Sequence, residues 1–244
     1  MDRLVIAKAG GFPRNDSKGF LIAALLLLCT TSCLAGWKMV AFHSRLTSIE
    51  DNERWESRLA ASGAYRNGSI LFFGDSEIAF WPMAESFGQL PIHNRGLKGE
   101  LAQDAGERFT ATLREVQPRL AVILTGTNDL GAGKSLESTL AHIEVMLAQV
   151  GNRAIVCSLL PASGDFAANH PADDIARWNV KLAALAAARG ARFLDLYSVL
   201  AGMDGRFRPD LTVDGLHPNS DGYALMTTAM LAELSRFPRS AAGH

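Results

Sequence analysis

From Ser69 onward the chain alternates short, almost continuously apolar runs with longer segments whose apolar residues recur at helical spacing. The runs Ser69 to Phe73, Pro91 to His93, Leu120 to Thr125, Ala154 to Leu160 and Arg192 to Leu196 read as strands. They lack the in-out alternation of a half-exposed sheet, which predicts a parallel sheet covered on both faces. Helical patterns occupy Glu77 to Ser86, Leu101 to Val116, Leu136 to Val150, Asp174 to Arg189 and Ser220 to Leu234. This alternation predicts an α/β protein, a three-layer α/β/α sandwich of flavodoxin-like type around a parallel sheet of about five strands.

The first residues follow a different pattern. Arg3, Lys8, Arg14 and Lys18 precede the apolar run Phe20 to Leu28, which continues more weakly to Ala35. A basic segment followed by an apolar one is the pattern of an export signal. The stretch to Trp37 is nearly long enough to serve as an uncleaved membrane anchor, and positive charge on its N-terminal side would leave the rest of the chain outside the cytoplasm. Lipidation at Cys33 is a third route, although Thr30 stands where bacterial lipoprotein signals usually place Leu. The organisation expected is therefore an export signal or anchor over 1–37, a helical lead-in over 38–68 and a single domain over 69–238. The lead-in carries Glu50, Asp51, Glu53, Arg54, Glu56 and Arg58, which read as a solvated helix face.

The chain has 244 residues, 48% of them hydrophobic, and a formal net charge of -1, so it can bury a sizeable core without disulfides or metal. Near-neutral charge argues against nucleic acid as a partner. Cys29 and Cys33 lie in the export-like segment, and Cys157 sits inside an apolar run as a buried small hydrophobe. No Cys/His cluster has zinc spacing, so no metal and no cofactor are expected.

Four short polar clusters carry the candidate chemistry: Gly74-Asp75-Ser76, Asn94-Arg95-Gly96, Gly126-Thr127-Asn128-Asp129 and Asp214-Gly215-Leu216-His217. In open parallel sheets, ligands bind outside the carboxyl ends of the strands, where loops converge. Ser76 follows the first expected strand, Gly96 the second and Asn128 the third, so residues distant in sequence would meet there. A serine hydroxyl is a weak nucleophile that needs a base, and the base needs an orienting partner. His217 is the best base in the chain, and Asp214, three positions earlier with Gly215 between them, can fold back onto its Nδ1. Fixed donors would stabilise the oxyanion formed on attack: the Ser76 N–H, the Gly96 N–H and the Asn128 side-chain amide. Asp75 and Asp129 read as supports of these loops.

In this order the clusters resemble the blocks of the SGNH hydrolases, the GDSL lipase and esterase family, over roughly Ser69 to Leu234. The resemblance implies that Ser76, Gly96, Asn128 and His217 are the four functional block residues and that Asp214 is the triad acid. Glu77 departs from the family pattern, standing where the name-giving motif has Leu. The resemblance further implies a cofactor-independent hydrolase of carboxylic esters. The family includes lysophospholipases, thioesterases, arylesterases and carbohydrate acetyl esterases. An exported lipolytic esterase is expected, with a carbohydrate O-acetyl esterase or an acyltransferase as the alternative. The substrate would be a small-molecule, lipid or acylated-sugar ester. A non-catalytic binding module is disfavoured because both serine and histidine are present. The loop Ala162 to Asp173 and the aromatic pair Phe80 and Trp81 are candidates for the acyl-pocket wall, with core packing an equal reading for Trp81. His93 is expected to be packed or locally bonded, and His43 and His142 to lie on helix surfaces.

Overall fold

Within each strand successive side chains point to opposite faces of the sheet, so a strand that is apolar at every position must be covered twice. The computed structural model, which describes residues 48–237, shows this arrangement. The expected export segment lies outside the described residues. Five strands, β1 (Ile70–Gly74), β2 (Ile92–Gly96), β3 (Leu120–Leu124), β4 (Ala154–Cys157) and β5 (Arg192–Leu194), form one sheet in the order β2-β1-β3-β4-β5. Every pairing is parallel, with Gly74 opposite both Gly96 and Leu124. Three strands therefore end at one level, and their following loops emerge together.

The two faces of β1 divide the core. Ile70 and Phe72 belong to one apolar cluster, and Leu71 and Phe73 to the other. The first layer is built from a helix over residues 48–62 (α1), α2 (Ser76–Ala79), α3 (Met83–Phe87), α8 (Tyr197–Leu200) and α9 (Ser220–Leu234). The second is built from α4 (Ala102–Val116), α5 (Thr127–Gly131), α6 (Leu136–Val150) and α7 (Ala172–Ala188). This is the expected three-layer flavodoxin-like sandwich.

Several boundaries differ from the sequence pattern for identifiable reasons. The single helix expected over Glu77 to Ser86 is two short helices, because Pro82 lacks an N–H and disfavours helical backbone at Trp81. The second strand continues past His93 to Gly96, since β1 offers a partner at every position even where the side chains are polar. Helix α1 is only partly a solvated face. Trp55 and Leu59 are buried in the core, and Asn52 donates to the Trp81 carbonyl at 2.9 Å and accepts from the Met83 N–H at 2.9 Å, bracing the α2–α3 break.

Trp81 is a core residue and not a pocket wall: it is fully buried and donates from Nε1 to Thr227 Oγ1 at 3.0 Å. Cys157 is buried as the apolar run suggested.

Candidate active site

The turn between β1 and α2 presents Ser76. A Cβ at Gly74 would lie 1.8 Å from the Leu124 carbonyl oxygen, so only glycine lets β1 end this close to β3. Asp75 then caps α2, its carboxylate accepting from the Glu77 N–H at 3.4 Å. Ser76 is the first residue of α2, and its hydroxyl is the part of the turn that faces the loop before α9.

That loop is self-bonded. The Thr212 hydroxyl donates to the His217 carbonyl at 2.8 Å and accepts from the Gly215 N–H at 2.9 Å. Asp214 Oδ1 accepts from the N–H groups of Leu216 at 3.0 Å and His217 at 2.9 Å. Its other oxygen, Oδ2, lies 2.9 Å from His217 Nδ1, and His217 Nε2 lies 3.0 Å from Ser76 Oγ. A carboxylate oxygen only accepts, so Nδ1 carries the imidazole proton and Nε2 is left to receive one. Phe80 packs its ring against the imidazole with centroids 5.5 Å apart.

The segment Ala162 to Asp173 has a role that the sequence pattern did not reveal. The Ser163 N–H donates to the Gly215 carbonyl at 2.8 Å, and a Cβ on Gly215 would lie 2.5 Å from the Ser163 carbonyl oxygen. Further along, His170 is buried with Nε2 3.1 Å from the Thr127 carbonyl. The segment therefore supports both the Asp214–His217 loop and the loop that carries Asn128.

Asn128 projects from α5 and donates from Nδ2 to the Glu100 carbonyl at 3.1 Å, which places its amide against the β2–α4 loop. Asp129 beside it is buried, accepting from the Ala102 N–H at 2.9 Å and from the Thr139 hydroxyl at 3.2 Å, and so fixes α5 against α4 and α6. Gly96 requires a correction. Its N–H donates to Asn94 Oδ1 at 2.9 Å, and a Cβ there would stand 2.1 Å from the Ala79 nitrogen. It is a packing glycine whose N–H is already used. Gly99, three residues on in the same loop, has φ +74 and open space where a Cβ would be. Its signal in the sequence was a second glycine after Asn94, which the first one masked.

Across most of its length the chain matches the model of the GDSL-like lipase/acylhydrolase family, over residues 72–225. The chain belongs to that family. It is an ester-hydrolysing enzyme. Among solved structures, this acylhydrolase resembles a GDSL-like lipase from Bacteroides thetaiotaomicron at 23% identity, with TM-score 0.65 over 77% of this chain and 98% of that one. It resembles a proposed acylhydrolase from Bacteroides fragilis at 26% identity, with TM-score 0.63 over 69% and 87%. A catalytic mutant of an acetylxylan esterase from Geobacillus stearothermophilus shares the fold at 15% identity, with TM-score 0.56 over 72% and 97%. Against curated protein sequences the chain has no significant match.

Proposed function

We propose that this acylhydrolase is a serine esterase of lipolytic type, with Ser76 as nucleophile, His217 as general base and acid, and Asp214 as the orienting carboxylate. The observation that carries the reading is the continuous relay from Ser76 Oγ to His217 Nε2 at 3.0 Å and from His217 Nδ1 to Asp214 Oδ2 at 2.9 Å. Ser76 Oγ attacks the ester carbonyl carbon while its proton passes to Nε2. The tetrahedral intermediate collapses, the C–O bond to the alcohol breaks, and the imidazolium returns the proton to the departing oxygen. Water then attacks the acyl-enzyme by the same route in reverse, releasing the acid and restoring the serine.

The oxyanion donors in this reading are the Ser76 N–H, the Asn128 amide and the Gly99 N–H in place of that of Gly96. Donors of this kind act on charge that exists only after attack. A groove beside the β2–α4 loop, lined in part by Ile49, Ala79 and Leu97, offers apolar surface for an acyl chain. Export, through cleavage or retention of the N-terminal segment, is part of the same proposal and is supported by the basic and apolar pattern of residues 1–37.

The test is labelling with a fluorophosphonate probe followed by an ester panel. Labelling at Ser76 that Ser76→Ala abolishes, together with hydrolysis of acyl esters of simple alcohols, is the expected result. Full labelling and activity in Ser76→Ala would end the serine mechanism. Activity confined to acetylated sugars would replace the lipolytic reading with a deacetylase, and preferential alcoholysis would replace it with an acyltransferase.

A further inference from the structure

The Ser76 hydroxyl has a second partner that the triad does not use. Glu77 Oε2 lies 3.2 Å from Ser76 Oγ, and the Glu77 side chain is fully buried. A buried carboxyl group is costly unless something compensates for it. Around it stand Asp75, fully buried on the same turn, His217 from the α9 loop and Thr127 from α5, while the charge of Asp129 also acts on Asp75. Tyr223 of α9 donates its hydroxyl to the Glu77 backbone carbonyl at 3.0 Å. Arg108, whose guanidinium approaches the Gly74 carbonyl at 3.3 Å, is paired with Glu100.

Their surroundings push the two acids beside Ser76 in opposite directions. Burial, followed by the negative charge of Glu77, pushes the Asp75 carboxyl well above its ordinary range. Burial also pushes Glu77 upward, but the Asp75 carboxyl facing it and the charge of His217 outweigh burial and bring it below that range. The two shifts run in opposite directions, which favours the negative charge of the pair on the Glu77 side.

A hydroxyl has one proton to donate, and Ser76 Oγ lies within reach of two acceptors. When His217 is neutral, Nε2 is bare and takes the Ser76 proton, which is the productive arrangement. When His217 is protonated, Nε2–H donates to Ser76 Oγ, and the serine proton must turn elsewhere. Glu77 Oε2 is placed to accept it. Resting on the assignment of Ser76, His217 and Asp214 made above, we propose that Glu77 is a further catalytic residue. It is a second acceptor for the nucleophile's proton, 3.2 Å from Ser76 Oγ, and it sets how readily that proton is given to His217.

Two consequences follow for the rate. Glu77, whose charge interacts with that of His217, holds the serine proton away from Nε2 and so favours the resting arrangement over the productive one. The same charge favours the imidazolium that forms during attack, so it raises the rate once His217 is neutral. A leucine at this position, as in the family's name-giving motif, would supply neither effect.

The experiment is the pH dependence of kcat/KM on a soluble aryl ester for the full chain, Glu77→Gln and Glu77→Leu. Each is assayed below its own thermal transition, so that a lowered melting temperature does not decide the result. The acid limb should move to lower pH by about one unit or more, the effect of removing a unit charge next to an ionising group. The plateau should fall by up to about tenfold per unit of movement, and the deficit relative to wild type should shrink as the pH falls. A purely structural Glu77 would leave the limb in place, and an acid limb superimposable on that of wild type in both variants would overturn the proposal. Ser76→Ala in parallel separates the two readings. Retained labelling and activity there would remove the serine mechanism itself, whereas their loss with an unmoved limb in the Glu77 variants would remove only the role of Glu77.

Discussion

Ser76 Oγ and His217 Nε2 lie 3.0 Å apart although 141 positions separate the two residues in the chain. The contact exists because β1 and the loop before α9 open at the same edge of the sheet. Ser76→Ala and His217→Ala should each lower kcat by about 10⁶-fold, the scale seen when either member of such a relay is removed. Asp214→Asn should cost less, about 10⁴-fold. The asparagine carbonyl oxygen can still accept from the Leu216 and His217 N–H groups, so the loop survives, but its amide would face Nδ1 and force the wrong tautomer. Steady-state kinetics with matched melting curves check all three.

Asn128→Ala should lower kcat by about 10² to 10³-fold with little change in KM if, as proposed above, the amide meets an oxyanion that only the transition state carries. The Glu100 carbonyl loses its partner at the same time. A small loss of thermal stability is therefore expected, and a defect mainly in KM would assign Asn128 to substrate binding.

The two glycines of the β2–α4 region should separate into different phenotypes. Gly96→Ala places a methyl 2.1 Å from the Ala79 nitrogen, a backbone atom that cannot give way, and should appear as misfolding or a large fall in melting temperature. Gly99→Ala meets no atom there but must hold φ +74, a strain of about 1 to 2 kcal/mol for a residue with a side chain. It should remain folded and lose kcat. Melting temperature and kcat measured on the pair distinguish the packing glycine from the proposed donor.

Glu56 of α1 carries a pH-dependent share of the stability. It accepts from the Asn94 N–H at 2.7 Å, pairs with Arg95 at 3.0 Å and lies 3.3 Å from His93 Nδ1. Burial pushes its carboxyl upward, but His93, Arg95 and Asn94 together hold it below its ordinary value of 4.5. The unfolded chain thus takes up this proton first as the pH falls. The contribution is fully present above the ordinary value and is lost as the pH drops through the lowered one. Glu56→Gln should cost about 1 to 3 kcal/mol at neutral pH. The gap between the denaturation midpoints of the two proteins should close as the pH falls below the ordinary carboxylate range.

The local sequence carried most of what depends on short-range pattern, the helix break at Pro82 excepted. The five apolar runs read as strands because both faces of a parallel sheet demand apolar side chains, and Leu136 to Val150 and Ser220 to Leu234 read as helices to the residue. Ser76, Asp214 and His217 stood out because a candidate nucleophile falls just past a strand, and a candidate acid and base lie three positions apart in the loop before the last helix. Which groups touch was decided by packing between segments far apart in the chain. Gly96 and Gly99 are indistinguishable as letters, and only the turn of Asn94 back onto the Gly96 N–H shows that this N–H is already engaged. Trp81 could have faced substrate or core until the α9 hydroxyl of Thr227 drew its indole inward. The charged lead-in concealed Asn52 and Trp55, whose hydrogen-bond partners lie at the α2–α3 break and just past α3. Glu77 read as an idle departure from a motif until the turn at Ser76 brought its carboxylate against the nucleophile, since hydrogen-bond partners are chosen by distance in space and not along the chain.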